Sequence, residues 1–423
     1  MSRIARIVFA SCAYLGDVAP YVAPANLLVE RGHEVTYLTP AGFHDALAGE
    51  RFGLATYALD LSAAAMHADP THDRLMRHPF INQTRLAQYW MSRSWSDDPA
   101  AAGASLLETI KGADVVVTHP TFGSVVMPTA KHLGVPVVTG HLFPMMTPTA
   151  SWLPPIGKRS PSVGRPLNRL GWRLLGWGSG RLLHDKQINQ YRVSLGIEPL
   201  RGNTMRSWMS ADRTVLLVSR HYYGDAPPDW PEFEWGGFSH WAGPPAVRDA
   251  PLDPRIEEFL TAGEPPVLVT LGSSAAAGAG EAFAAMAAAL DRAGLRSLML
   301  VGNETNLEPL RGREGAFVFA PLARVLPRVR SAVVSGALGT IAAALAAGTP
   351  VVVQPQLFDQ VWHGGRVEDL GVGRMVWRTR DVAKAVVKVD GDGSYRRRAQ
   401  ALAAKMATED APTVLANAVE SLL

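Results

Sequence analysis

Residues 6–39 read RIVFASCAYLGDVAPYVAPANLLVERGHEVTYLT, and this stretch decides the fold. Its first five residues, Arg-Ile-Val-Phe-Ala, form an apolar, β-rich run that suits a buried strand. Small and polar residues follow over 11–19, and a helix is expected from about Pro20, a residue tolerated in a first helical turn, to Arg31. Gly32 is placed to cap that helix, after which 34–39 reads as the next strand and completes a βαβ unit. Short Val-rich runs at 114–118 and 135–140, with helical patterns between them, suit parallel strands covered on both faces.

The same grammar restarts after Pro265-Pro266. The run 267–271 is followed by Gly272-Ser273-Ser274, an Ala-rich helix and a strand at 297–301. Later strands are expected at 316–319, 332–334 and 350–353, with a helix over 340–347 that stops at Gly348. Between the two halves, 226–245 is dense in Pro, Trp and Gly, a composition that suits a linker with turns. The expected class is therefore α/β: two Rossmann-like domains with parallel sheets facing across a cleft at the carboxyl ends of their strands. The expected division is 1–225, a linker over 226–262, 263–398 and a terminal segment 399–423.

Composition bounds the function. Of 423 residues, 41 are Lys or Arg and 38 Asp or Glu, a net charge of +3, with 47% apolar and 19% charged. Disorder and a fibrous architecture are excluded. No run of five Lys or Arg residues offers phosphates a continuous track, so nucleic acid is not an expected partner. Cys12 is the single cysteine; it cannot form an internal disulfide or a Cys-based zinc or iron–sulfur site, which favours a reducing compartment and a cytoplasmic location. The run 4–15 behind Arg3 and Arg6 resembles a signal peptide, but 14–20 continues into a patterned helix instead of a cleavage site. No stretch approaches the roughly 18 uninterrupted apolar residues that a membrane span needs.

Several residues carry candidate chemistry. Asp17 lies at the carboxyl end of the first strand, where a carboxylate caps a turn or acts as a general base on a bound hydroxyl. Ser335-Gly336-Ala337-Leu338-Gly339-Thr340 leaves a strand through two glycines and opens a helix, so bare N–H groups and the helix dipole would face an anion such as a diphosphate. Gly272-Ser273-Ser274 forms a second such loop. Trp90 and Trp95 in 76–96, and Phe143, Met145, Met146 and Trp152 after a later strand, are core residues or the wall of an apolar acceptor pocket. His119 and His141 each follow a strand and are structural or line the cleft, whereas His33 belongs to a turn. His363, close after Asp359-Gln360, approaches a bound ligand or caps a helix. Asp390-Gly391-Asp392 has an Asp-x-Asp form but reads as a turn, and the spacing of His67, Asp69 and His72 does not share a helical face, so no metal site is expected.

As a whole the arrangement resembles the GT-B glycosyltransferases that act on natural products, sterols and rhamnolipids (glycosyltransferase family 1/28-like). The resemblance rests on Gly16-Asp17-Val18-x-Pro20 with 31–35, on Leu271-Gly272-Ser273, on 320–322, on Gly339-Thr340, on 355–360, and on 365–367 with 370–373. It covers nearly the whole chain. It implies an inverting glycosyltransferase with Asp17 as base, Phe319, Ala320 and Leu322 at the nucleobase, and Ser273, Ser274, Ser335, Gly336, Gly339 and Thr340 at the diphosphate. Asp359 and Gln360 would bond the sugar's hydroxyls, and Trp90, Trp95, His119, His141, Phe143 and Met145 would face the acceptor. It further implies a UDP- or dTDP-sugar co-substrate, an apolar small-molecule acceptor, no cofactor and no metal. The N-terminal half would take the acceptor, the C-terminal half the donor, and the last helix from about Ala399 would pack back on the first domain. A homodimer is compatible with the sequence, which does not set the oligomeric state.

One departure is visible. Relatives place a histidine before the glycines of the diphosphate loop, where this chain has Ser335, and Ala337 stands for the second glycine. Serine donates one hydrogen bond but carries no positive charge, a difference of about 1.5–3 kcal/mol per charge-assisted bond. Two alternatives stay open on that account or on the fold: a degenerate auxiliary or binding protein, and an NAD(P)-dependent oxidoreductase. The latter would use Gly278-Ala279-Gly280, but Phe283 replaces the third glycine of the dinucleotide fingerprint.

Overall fold

The computed structural model describes residues 3–11, 15–58, 68–76, 78, 81–93, 99–155, 157–182, 185–200, 207–248, 250–272, 279–357 and 359–423. Apolar strand runs set the architecture, because each is buried on both faces. In β1 (Arg6–Ala10) the residues Ile7, Val8, Phe9 and Ala10 are all buried. Ile7 and Phe9 pack toward one side of the sheet with Val115, Val117 and Leu28, and Val8 and Ala10 toward the other with Val116, Leu106 and Ile110. Such runs need a layer on each side, which is the requirement of a parallel sheet.

The first sheet holds β1, β2 (Glu34–Pro40), β3 (Gly53–Tyr57), β4 (Val115–Thr118), β5 (Val137–His141), β6 (Arg213–Leu216) and β7 (Glu234–Trp235) in the order β3-β2-β1-β4-β5-β6-β7, all parallel. The second holds β8 (Val267–Thr270), β9 (Ser297–Leu300), β10 (Ala316–Phe317), β11 (Ser331–Val334), β12 (Val351–Val353) and β13 (Gly373–Met375) in the order β10-β9-β8-β11-β12-β13, again all parallel. The expected class holds: α/β, with two parallel sheets of Rossmann order.

Three differences from the sequence reading have physical causes. Asp17 is not in an irregular loop but in a single helical turn, Leu15–Val18, that runs through Ala19–Tyr21 into the helix Val22–Glu30. That helix does end before Gly32, which adopts a φ of +92°. The stretch 226–262, expected as linker, supplies β7 to the first sheet and the helix Pro254–Thr261 to the second half, where Ile256 and Leu260 are buried. Its aromatics are packed: Tyr223 lies 5.9 Å from Trp230, 5.7 Å from Trp235 and 5.4 Å from Trp362 between ring centroids.

At the C-terminus, the helix Gly393–Met406 stays with the second core through Ala399, Leu402 and Met406. Only Ala411–Glu420 crosses back, burying Leu415 and Val419 with Leu28 and Ala25 of the first domain. Arg31 and His33 meet Glu420 at 2.6 and 3.2 Å and fix its end. The crossing therefore comes about a dozen residues later than expected. Asp390 is half-buried beside Arg330, and Asp392 caps Gly393–Met406 by accepting from Ser394 N–H, so this Asp-x-Asp serves a helix junction.

Candidate active site

In each sheet the strand order reverses beside the first strand: β4 joins β1 opposite β2, and β11 joins β8 opposite β9. Helices leave to opposite faces there and open a crevice at the carboxyl ends of the strands. Asp17 and His119 follow β1 and β4, whereas Gly272 and 335–340 follow β8 and β11. The two crevices share a cleft of about 1650 Å³ lined from both halves by Asp17, His119, Gly272, Gly339, Thr340 and Asp359 among others. That exceeds the roughly 300–1,000 Å³ of a single small-ligand pocket and leaves room for two substrates.

On the first-domain wall, the buried His119 has Nε2 at 3.3 Å from Asp17 Oδ1, close but not in hydrogen-bond alignment. Its Nδ1 accepts from the backbone N–H of Thr121 at 3.3 Å and faces the Thr121 hydroxyl at 2.8 Å. A backbone N–H only donates, so the neutral ring carries its proton on Nε2, toward Asp17. Burial, assisted by neighbouring His141, pushes the His119 pKa down to about 3, and burial does the same to His141. His141 accepts Phe143 N–H on Nδ1 at 3.0 Å and is buried behind the wall; it is absent from the cleft lining. The ring of Phe143 meets His119 edge-on at 5.5 Å.

On the second-domain wall, the helix Leu338–Ala346 opens at Ala337 with no side-chain cap, and Ala337, Leu338, Gly339 and Thr340 line the cleft. The first N–H groups of a helix have no intrahelical acceptor and, with the dipole, suit an anion. Ser335 is fully buried and does not line the cleft; its hydroxyl donates to Leu271 O at 2.7 Å and ties the two loops together. Gly336 lies beneath the cleft as well, at φ +97°, where a Cβ would stand 2.9 Å from Val353 Cγ1 and 3.0 Å from Gln360 O. Ser335 and Gly336 therefore shape the loop from behind the residues that line the cleft.

Asp359 and Gln360 begin the helix Gln360–Asp369 and line the cleft. Gln360 Oε1 accepts from Gln356 N–H at 2.8 Å and Leu357 N–H at 3.0 Å, which leaves its amide donors for other partners. Asp359 Oδ2 is 3.1 Å from His363 Nε2, and His363 Nδ1 is 2.9 Å from the Tyr222 hydroxyl. With Tyr222 donating, His363 presents Nε2–H to Asp359, so a chain from the first domain orients a carboxylate of the second. Burial holds the Tyr222 hydroxyl well above its usual pKa and keeps it a donor.

Phe319, Ala320 and Leu322 line the cleft after β10, and Phe319 is 58% exposed. Trp90, Phe143 and Met145 line it from the first half. Ser273, Ser274 and Trp95 lie outside the described residues. The sequence reading missed Thr121, Tyr222, Trp208, Phe238, Trp241 and Trp377. Tyr222 and Thr121 carry no motif, but the aromatic density around Phe238 and Trp241 was itself a sign of packed rather than linking chain. Among the described residues, no three His, Cys, Asp or Glu side chains cluster closely enough to hold a metal ion.

Comparison with known proteins agrees with this fold. The family described as Erythromycin biosynthesis protein CIII-like, C-terminal domain, matches residues 309–422. Glycosyltransferase GtfE of Amycolatopsis orientalis is 29% identical over 383 residues, covering 87% of this chain and 85% of its own. O-mycaminosyltylonolide 6-deoxyallosyltransferase of Streptomyces fradiae is 27% identical, covering 86% and 84%. Among solved structures, glycosyltransferase VinC in complex with dTDP superposes with a TM-score of 0.69 at 16% identity, over 98% of this chain and 100% of its own. With relatives of one activity aligned along nearly the full chain, and two Rossmann-type sheets sharing one cleft, the protein is a glycosyltransferase of the GT-B type.

Proposed function

We propose that the protein moves a sugar from a UDP- or dTDP-linked donor to a hydroxyl of an apolar small molecule, by an inverting displacement that uses no metal. The observation that carries the reading is a carboxylate backed by a neutral histidine on one wall of the cleft, opposite an uncapped helix N-terminus on the other. Asp17 takes the acceptor's hydroxyl proton as its oxygen bonds to the anomeric carbon; the bond from that carbon to the β-phosphate oxygen breaks, and its electron pair leaves with the nucleoside diphosphate. His119, with a pKa near 3, does not compete for that proton; its Nε2, 3.3 Å from the carboxylate, carries the ring proton and favours the charge electrostatically before transfer. Gly339, Thr340 and the first N–H groups of Leu338–Ala346 stabilise the charge on the departing diphosphate, with Ser273 and Ser274 expected beside them. Asp359, held by His363, and Gln360 bond the sugar's hydroxyls, while the loop at Phe319, Ala320 and Leu322 holds the base.

The acceptor is assigned to the first-domain half, where Trp90, Phe143 and Met145 give an apolar wall, and the donor to the second. A thymidine donor and an antibiotic-type acceptor are supported by the dTDP bound to VinC and by the relative named for O-mycaminosyltylonolide. Calorimetric titration with UDP, dTDP and NADH in the absence of metal tests the donor side. Binding of one pyrimidine diphosphate in the micromolar range, about −8 kcal/mol, is expected. Silence toward both diphosphates would favour the auxiliary-protein alternative that Ser335 raises, and binding of NADH alone would overturn the donor assignment. In Asp17→Asn, turnover should fall by about 10²–10⁴ with nucleotide affinity unchanged; undiminished turnover would remove Asp17 as the base.

A further inference from the structure

The helix Arg165–Leu182 has two working faces. Toward the protein, Asn168 donates to Ala150 O at 2.9 Å, Trp172 Nε1–H donates to Trp152 O at 2.8 Å, and Leu175 and Ser179 line the cleft. Away from it, Leu167, Leu170, Leu174 and Trp177 are 55%, 47%, 58% and 77% exposed. Their spacing of three, four and three residues makes one continuous stripe. Arg165, Arg169 and Arg173 form the exposed row beside it, and none has an ion-pair partner among the described residues.

Charge is as one-sided as exposure. Between Gly157 and His184 there are six Lys or Arg and no Asp or Glu, so the remainder of the chain carries (41 − 6) − 38 = −3. Lys158 and Arg159 are engaged by Glu368 and Asp369. The three arginines of the row are left facing outward with the Leu/Trp stripe. A helix with Trp and Leu on one strip and only cations along its border has the composition of one lying in the plane of a lipid–water interface. Each Arg near an anionic leaflet adds about 1 kcal/mol, roughly fivefold in partitioning. Two copies meeting through this face would instead bring like-charged arginine rows together.

We propose that the outer face of Arg165–Leu182 docks on an anionic lipid bilayer and so holds the acceptor side of the cleft against the lipid surface. The helix is about 10 Å thick, and its opposite face already lines the cleft. The clause about the acceptor rests on the acceptor-side reading above; the docking itself does not.

The test uses the full chain, without donor or acceptor, sedimented with mixed phosphatidylglycerol–phosphatidylcholine vesicles and with pure phosphatidylcholine vesicles. Preferential binding to the anionic vesicles is expected, weakened at least about tenfold by Arg169→Glu/Arg173→Glu and lost in Leu170→Ser/Trp177→Ser. All four positions point outward, so both variants should melt with the native protein and bind nucleoside diphosphate as it does. No binding, equal binding to the two vesicle types, or unimpaired binding by the variants would overturn the proposal. So would a dimer in light scattering that Leu170→Ser/Trp177→Ser abolishes, because the face would then be a contact between copies. Nucleotide titration of the same samples is independent of lipid, so failure of docking and failure of the donor reading are told apart.

Discussion

Asp17 illustrates how one side chain acquires a role from a neighbour far along the chain. Before a proline-started helix a carboxylate is equally at home as a cap, and the helical turn Leu15–Val18 that holds it is unremarkable as local structure. What separates it from a cap is His119, brought to 3.3 Å by the pairing of β1 with β4 and fixed in its tautomer by Thr121. Ser335 moves the other way: it occupies a position where a ligand contact was expected, yet its hydroxyl is spent on Leu271 O. Asp359 is held by His363, which is held by Tyr222, so its carboxylate has a fixed orientation in the cleft. Asp359→Ala is expected to weaken a nucleotide sugar about tenfold or more while leaving the bare nucleotide within about twofold, since only the sugar loses a hydrogen bond to a charged group. Equal losses for the two ligands in calorimetry would show that Asp359 does not read the sugar.

At the scale of elements, the ends of β4 and β5 carry two neutral histidines whose pKa values burial has pushed from 6.5 to about 3. The unfolded chain therefore binds more protons than the native one below pH 6.5, and stability is lost as pH falls from there toward 3. At pH 5 the loss is about 2 kcal/mol for each histidine. Thermal melting should shift down between pH 7 and pH 5, and the shift should shrink in His141→Gln; an unchanged shift would place the acid sensitivity elsewhere. The turn after β11 is the second sensitive element. In Gly336→Ala, a β-carbon would meet Val353 and Gln360 at a φ of +97°, so a destabilisation of about 1–3 kcal/mol and weaker diphosphate binding are expected together. An alanine variant that melts and binds as the native protein does would show that the loop relaxes freely.

Across the whole molecule the two halves are tied at several places. Tyr222 and Arg366 join them beside the cleft, and the terminal helix Ala411–Glu420 leaves the second core to complete the first. Leu415 is fully buried against the first domain, so Leu415→Ala should cost about 2–5 kcal/mol and lower the melting of that domain, although the residue is remote in sequence. A loss confined to the second domain, seen by hydrogen exchange, would mean that the last helix belongs to the second core. The aromatic packing of Tyr223, Trp230, Trp235 and Trp362 has the same consequence: chain that looked like a spacer is structural, and packed rings join it to the second domain.

The amino-acid sequence by itself determined the class of fold and the strand-to-helix loops that come to line the cleft. Runs such as 6–10 and 267–271 are apolar without alternation, so they need cover on both faces, and a strand–glycine–helix pattern that occurs twice needs two sheets. The short strands β3, β6, β7 and β13 were not legible, because two to five residues of mixed polarity acquire strand geometry only when a neighbouring edge supplies hydrogen bonds. Only the tertiary structure decided the pairing of Asp17 with His119, the Tyr222–His363–Asp359 chain and the burial of Ser335. Each depends on contacts between residues tens to hundreds of positions apart, and periodicity along a chain records which face a residue presents, not which distant residue it will meet.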